Sequence, residues 1–174
     1  IDVPAENGHD LLTTIDINIQ DFADRTLRSK MKEKDVNGEI GVVVVMEVKT
    51  GDVKAIVNLT RGADGEYYEM KNNAVSDLWE PGSTFKTASI MIALEDGKID
   101  VNKVVDCAPG IVKMHGRNMK DHNWHKGGYK ELKVEDILGQ SSNIGVSKII
   151  DEAYGGNPSA YVDGLHRIGV GIPL

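Results

Sequence analysis

Ser83 and Lys86 stand three residues apart in "WEPGSTFKTAS", Trp79 to Ser89, and their types and spacing could do chemistry. Residues three apart on a helix share a face, so the serine Oγ and the lysine Nζ can meet across one turn. A serine hydroxyl is a weak nucleophile until a neighbouring base takes its proton. Lysine, with an ordinary pKa of ~10.4, is protonated at neutral pH. Burial and the positive end of a helix dipole both disfavour the ammonium. The sequence offers both: Phe85, Ala88, Ile90, Met91, Ile92, Ala93 and Leu94 surround nearly the whole circumference of a helix expected from Ser83 to Asp96, with Gly97 placed to stop it. A neutral Lys86 could accept the Ser83 proton as the oxygen attacks a carbonyl, while backbone N–H groups at the helix start face the developing oxyanion. The competing reading is structural, since serine is an ordinary helix starter, a lysine stem can reach along an apolar face to water, and S-x-x-K strings arise by chance. Three separate features favour chemistry: Pro81-Gly82 before the serine, an apolar helix after it, and a second cluster, Ser141-Ser142-Asn143, downstream.

A second group of side chains invites a metal reading. Cys107, His115, His122 and His125, with Asp106 and Asp121 nearby, occupy a Gly-rich stretch, and His122 and His125 are spaced H-x-x-H. In such a stretch these residues are more often solvated or tied by local hydrogen bonds, so no metal or other cofactor is expected. Trp79, Trp124 and the tyrosines read as packing and loop anchors rather than as a carbohydrate platform.

The elements that must position Ser83 and Lys86 follow from periodicity. Ile15, Ile19, Phe22, Ala23, Leu27 and Met31 recur at helical spacing and predict an amphipathic helix ending near "DVNG". "EIGVVVVMEV", "KTGD" and "VKAIVNL" predict a two-stranded hairpin, its valine run read as a strand buried on both faces. "TRGADGEYYEMKNNAVSDLWEPG" reads as a polar connection, and "DCAPGIVKMHGRNMKDHNWHKGGYKE" as a long surface loop or small subdomain. Two helices broken around Ser141-Ser142-Asn143 follow, then one more with Pro158 near its first turn. The expected organisation is residues 1–60 for the first helix and hairpin and 61–174 for a helical part carrying the chemistry.

Composition bounds the function. A net charge of −7 over 174 residues argues against a general binder of phosphate backbones, so no nucleic-acid partner is expected. The lone Cys107 precludes an intrachain disulfide, and no run approaches the ~20 apolar residues of a membrane-spanning helix. Beginning at Ile1 with no leader, the chain is expected to be processed or excised.

"EPGSTFK" followed by "SSN" resembles the transpeptidase domain of bacterial penicillin-binding proteins, particularly the monofunctional class B that serves division or elongation. "LLTTIDINIQ" is similar to the entry of that family's first helix, "MEVKTGDVKAIVN" to its opening hairpin and "NNAVSDLWEPGSTFK" to its approach to the nucleophile, so the likeness runs over almost the whole chain. It implies an α+β, β-lactamase/transpeptidase-like (DD-peptidase) fold and serine-type acyl transfer in peptidoglycan cross-linking. Carried over by position, it makes Ser83 the acylated nucleophile and Lys86 its general base. Ser141 would relay a proton toward the leaving amine, and Asn143 would bind the substrate's amide backbone; Ser142 has the weaker claim of filling the middle position. The implied substrate is the D-Ala-D-Ala end of a peptidoglycan stem peptide, with β-lactams as mimics and other cell-wall synthesis or divisome proteins as partners. The implied location is the cell envelope, at the periplasmic face of the inner membrane, with an anchor outside this chain. Two other readings stand beside it: a β-lactam sensor or serine β-lactamase of the same fold, and a non-catalytic docking module.

Two departures qualify the resemblance. Many family members carry an arginine near Asn73, so no role is transferred there. The third motif, Lys-Thr/Ser-Gly on a late strand, lacks a counterpart, because Lys49-Thr50-Gly51 falls in the hairpin turn before Ser83. The chain is therefore expected to be the N-terminal portion of a catalytic domain, with two of the family's five strands. Slow or absent acylation, and self-association or rearrangement around an unpaired strand edge, are expected to follow.

Overall fold

Asp16 opens the first helix: its carboxylate accepts the N–H groups of Asn18 and Ile19 at 2.9 and 3.3 Å, which the first turn would otherwise leave unpaired. Helix α1 then runs over Ile17–Met31. These coordinates come from a computed structural model, which describes residue 4 and residues 6–173. They divide into two compact units, Ile1–Trp79 and Glu80–Leu174.

In the first unit α1 lies on an antiparallel sheet of order β1-β2-β3, comprising β1 (Ile40–Met46), β2 (Val53–Arg61) and β3 (Tyr67–Tyr68). Ala23 and Met31 are buried against Ala55, Val57, Leu59 and Tyr67, with Leu27, Val43 and Val45 at the margin of this core. Ile19 and Phe22, expected in the same stripe, are exposed, because the sheet beneath is narrow and its third strand is two residues long. The valine run also departs from expectation. Among the described residues strand β1 pairs with β2 on one flank only, and its side chains alternate, so Val43 and Val45 turn to the helix while Val44 stays 50% exposed. The strand buried along its length is β2.

Strand β3 lies inside the segment read as a polar connection. Tyr67 creates it: the side chain is buried in the core, and its Oη lies 3.1 and 3.0 Å from the carbonyls of Met31 and Gly38. Where β3 is too short to reach, the Gln20 amide closes β2 instead, donating to Ile56 O at 2.9 Å and accepting from Ile56 N–H at 2.8 Å. Helix α2 (Asn73–Ser76) follows, its Asn73 buried and donating to Thr60 Oγ1 at 3.2 Å. Lys49-Thr50-Gly51 forms the β1–β2 turn, with Gly51 at φ +80° and its N–H on Glu47 O.

The second unit holds α3 (Phe85–Glu95), β4 (Val104–Asp106), β5 (Ile111–Met114), β6 (Arg117–Lys120), β7 (Glu131–Lys133), α4 (Val134–Gly139), α5 (Asn143–Tyr154) and α6 (Pro158–Arg167). Its core joins Ile90, Ile92 and Ala93 of α3 to Val134 and Ile137 of α4 and to Ile144, Val146, Ile149 and Tyr154 of α5. The helix break at Ser141-Ser142 and Pro158 at the start of α6 are as the sequence predicts.

The Gly-rich stretch is more ordered than expected. Strands β4 and β7 pair, and β5 and β6 form a hairpin whose two turn residues, His115 and Gly116, both have positive φ of +46° and +80°. That matches a type I′ turn, for which His-Gly is a weak sequence signal beside Asn-Gly. Gly110 and Gly128 are needed for proximity: a Cβ on Gly128 would lie 2.1 Å from the Gly110 Cα, so the two backbones touch.

Candidate active site

Ser83 sits in a single 3₁₀ turn, Gly82–Thr84, that leads into α3, so the serine precedes the α-helix rather than opening it. Gly82, at φ +59°, adopts the left-handed conformation that lets the chain enter this turn after Pro81. The Thr84 hydroxyl holds the turn by donating to Pro81 O at 2.6 Å. Lys86 is the second residue of α3 and is half-buried, whereas Ser83 is exposed.

The lysine Nζ has three oxygen neighbours: Ser83 Oγ at 3.2 Å, Ser141 O at 2.7 Å and Ser141 Oγ at 2.9 Å. Burial lowers the Lys86 pKa from its ordinary 10.5, with the Asp121 carboxylate pulling the other way. As an ammonium, Lys86 donates to all three oxygens. As an amine it has two N–H bonds and one lone pair. The Ser141 carbonyl can only accept, which commits one N–H. The lone pair is then left to one of two hydroxyls, either of which can turn its O–H toward it. A proton can therefore pass between Ser83 Oγ and Ser141 Oγ through a nitrogen bonded to both.

Ser141 reaches that nitrogen because of how α4 ends. Its N–H donates to Leu138 O at 3.0 Å, and the Ser142 N–H to Ile137 O at 2.9 Å, the paired bonds of a Schellman motif. The residue between them must be left-handed, and Ser141 has φ +53°. Glycine is usual at that position, so the chain accepts strain in order to carry a hydroxyl there.

Ser142 caps α5, its Oγ accepting the Gly145 N–H at 2.9 Å and donating to Asp121 Oδ2 at 2.9 Å. Asn143 is the first residue of α5, and its Nδ2 donates to Lys120 O at 2.6 Å. Since that carbonyl can only accept, the amide orientation is settled, leaving Oδ1 and one N–H for other partners. Sequence reasoning missed the part of Asp121 in this arrangement, having grouped it with possible metal ligands. Its partners lie 21 and 23 residues away, so no local spacing could have revealed them.

Among the described residues, His, Cys, Asp and Glu side chains do not gather into a group of three or more that could hold a metal ion. Cys107 is buried, its thiol pKa pushed up by burial. His115 Nε2 pairs with Asp151 Oδ1 at 2.7 Å. His122 meets Tyr129 edge-on, as His125 meets Trp124, while the Lys120 ammonium lies 4.3 Å from the Trp124 ring.

A hydroxyl and an amine paired across the start of an apolar helix that is exposed along Thr87 and Met91, with a second hydroxyl at a strained helix junction, form the kind of site at which serine–lysine acyl transfer can occur. The chain belongs to the penicillin-binding protein transpeptidase domain family, whose model matches residues 41–174. Among curated relatives it is 33% identical over 172 residues to the peptidoglycan D,D-transpeptidase FtsI of Escherichia coli K12, covering 96% of this chain and 27% of that protein. It is 31% identical over 174 residues to the probable peptidoglycan D,D-transpeptidase PenA of Neisseria gonorrhoeae, covering 97% and 28%. The chain thus spans little more than a quarter of the length of these relatives. Among the solved structures that share its fold are two from Burkholderia. A peptidoglycan glycosyltransferase from Burkholderia ambifaria matches with a TM-score of 0.76 at 28% identity, over 92% of this chain and 48% of that one. The TP domain of Burkholderia pseudomallei penicillin-binding protein 3 gives 0.75 at 25%, over 97% and 47%. The fold class is α+β and β-lactamase/transpeptidase-like. Among the described residues no helix is long and apolar enough to cross a membrane.

Proposed function

We propose that this chain carries the nucleophile end of a D-Ala-D-Ala transpeptidase site, with serine-type acyl transfer in peptidoglycan cross-linking as the activity of the whole protein. The observation that carries the reading is the Lys86 amine, half-buried with a lowered pKa and within hydrogen-bond reach of both Ser83 Oγ and Ser141 Oγ. Lys86 takes the Ser83 proton while Oγ bonds to the carbonyl carbon of the penultimate D-Ala. N–H groups at the start of α3 face the resulting oxyanion. As the C–N bond breaks, the proton returns through Ser141 Oγ to the departing D-Ala amine, leaving an ester on Ser83. Asn143 offers its free amide groups to the substrate backbone. β-Lactams acylate the same oxygen, their ring amide standing in for the scissile bond.

The whole protein is proposed to work in the cell envelope, at the periplasmic face of the inner membrane, held by an anchor outside this chain and associated with other cell-wall synthesis proteins. Residues 1–174 are proposed to form part of one transpeptidase domain. Intact-mass spectrometry of the full-length protein after exposure to a β-lactam tests the reading. One acyl adduct that persists and disappears in Ser83→Ala supports it. An adduct that hydrolyses rapidly makes the protein a β-lactamase instead, and no adduct on Ser83 overturns acyl transfer at this site.

A further inference from the structure

We propose that the buried Asp121–Ser142 pair is the positioning element of this site, locking the start of α5 and, through it, the left-handed Ser141 that meets Lys86. The proposal rests on the serine–lysine reading above and extends it to two residues that touch no reacting atom.

Asp121 is 1% exposed, and each carboxylate oxygen has a partner: Oδ2 accepts the Ser142 hydroxyl at 2.9 Å, and Oδ1 accepts the Ile144 N–H at 3.1 Å. A buried carboxylate is costly unless it is well bonded, and a helix N-terminus is a favourable place for it. Asp121 is itself held, its N–H donating to Gly110 O at 3.0 Å beside the Gly110–Gly128 backbone contact. The preceding residue, Lys120, accepts from the Asn143 amide, so the end of β6 is joined to the start of α5 at two adjacent positions.

Ser142 belongs to both helices. Its N–H ends α4 on Ile137 O, and its side chain begins α5. A non-glycine residue in a left-handed conformation persists where its surroundings over-determine it. Here Ser141 is fixed from before by its own N–H on Leu138 O, and from after by Ser142, which Asp121 holds in place. The pair thereby sets where the Ser141 carbonyl and hydroxyl present themselves to Lys86. The Asp121 charge also reaches Lys86 through space and opposes the effect of burial on its pKa. Asp106 and Lys148 act with Asp121 on the Cys107 thiol.

Two variants separate the connection from the charge. Ser142→Ala removes the hydroxyl and leaves the carboxylate. Asp121→Asn keeps an acceptor for Ile144 and can donate its amide to Ser142 Oγ, but carries no charge. In the full-length protein, acylation of Ser83 by labelled penicillin and the pH titration of the Lys86 ¹³Cε resonance, assigned with Lys86→Arg, are measured for parent and variants. Ser142→Ala is expected to slow acylation roughly ten- to hundredfold at the pH where the parent rate is maximal, the scale of a displaced reacting group. Asp121→Asn is expected to move the Lys86 midpoint to lower pH with the fold retained. Ile149→Val, a buried α5 change remote from these hydrogen bonds, serves as a stability control. Ser142→Ala slowing acylation no more than Ile149→Val overturns the positioning role, and an unmoved or raised Lys86 midpoint in Asp121→Asn overturns the electrostatic one. A parent that fails to label at Ser83 defeats the acyl-transfer reading separately. The ¹³C titration needs no turnover, so it decides the Asp121 claim even then, and Ser142→Ala leaving the Lys86 resonance and its midpoint unperturbed would then defeat the Ser142 claim.

Discussion

Replacing Ser141 by glycine and by alanine separates the strain at this residue from its chemistry. Its φ of +53° costs a residue with a Cβ about 1–2 kcal/mol relative to right-handed geometry. Glycine removes that cost but brings a more flexible unfolded chain, worth ~0.5–1 kcal/mol, so the net gain is about 0.5–1 kcal/mol. Both substitutions lose the Lys86–Ser141 Oγ hydrogen bond, about 1 kcal/mol, and keep the bond to the Ser141 carbonyl. Ser141→Gly should therefore melt close to the parent and Ser141→Ala below it, with a gap of roughly 1–4 °C between them for a chain of this size. Acylation should fall in both by about 10²-fold or more, the usual scale of a lost proton-transfer group. Calorimetry and labelled-penicillin kinetics on the same preparations provide the assay. An alanine variant melting at or above the glycine variant refutes the strain argument, and parental acylation in either removes Ser141 Oγ from the proton path.

The Lys86 pKa is lowered by burial, so acylation should rise with pH through a midpoint below the ordinary lysine value of 10.5; Lys86→Arg should be inactive at every pH, and a midpoint at or above 10.5 contradicts the burial argument. Between the two pKa values the unfolded chain binds more protons at this site, so the Lys86 contribution to stability should increase with pH across that window, read from denaturant midpoints of parent against Lys86→Met. Gly145→Ala should destabilise the chain by ~1–3 kcal/mol, less up to ~1 kcal/mol of gained helix propensity, because the new Cβ would lie 2.7–2.9 Å from three Ile137 side-chain carbons; an unchanged urea midpoint shows that α4 and α5 are not so close. Tyr154, buried and donating to Asp96 Oδ2 at 2.8 Å, has its pKa pushed up to about 12, so ultraviolet titration should show an ionisation near that pH that Tyr154→Phe removes. Its contribution to stability is complete below the unfolded value of 10.0 and is lost as pH rises toward about 12, because the unfolded phenol ionises first.

Local chemistry made much of this protein legible in one dimension. The Ser83–Lys86 spacing, the apolar run of α3, the break at Ser141-Ser142 and the proline at the start of α6 concern neighbours within a turn or two, where 3.6-residue periodicity and capping rules apply. The β1–β2 hairpin was readable for the same reason. Three features were not. The valine run of β1 has the composition of a doubly buried strand, but burial depends on what lies across each face, and Val44 is only half covered there. Tyr67 makes a strand of a polar connection because its hydroxyl reaches carbonyls 29 and 36 residues earlier. The small sheets of the Gly-rich stretch depend on a His-Gly turn and on two glycine backbones touching across 18 residues.

By itself, then, the sequence determined that a serine and a lysine stand one turn apart at the start of an apolar helix and that a second serine follows at a helix break. Only the tertiary structure decided that Ser141 is left-handed, that its carbonyl and hydroxyl both meet Lys86 across 55 residues, and that Asp121, just after β6, bonds to the junction through Ser142. The physical reason is range: spacing along the chain dictates which side chains share a face, whereas burial of an amine and the support of a strained residue depend on atoms that folding alone brings together.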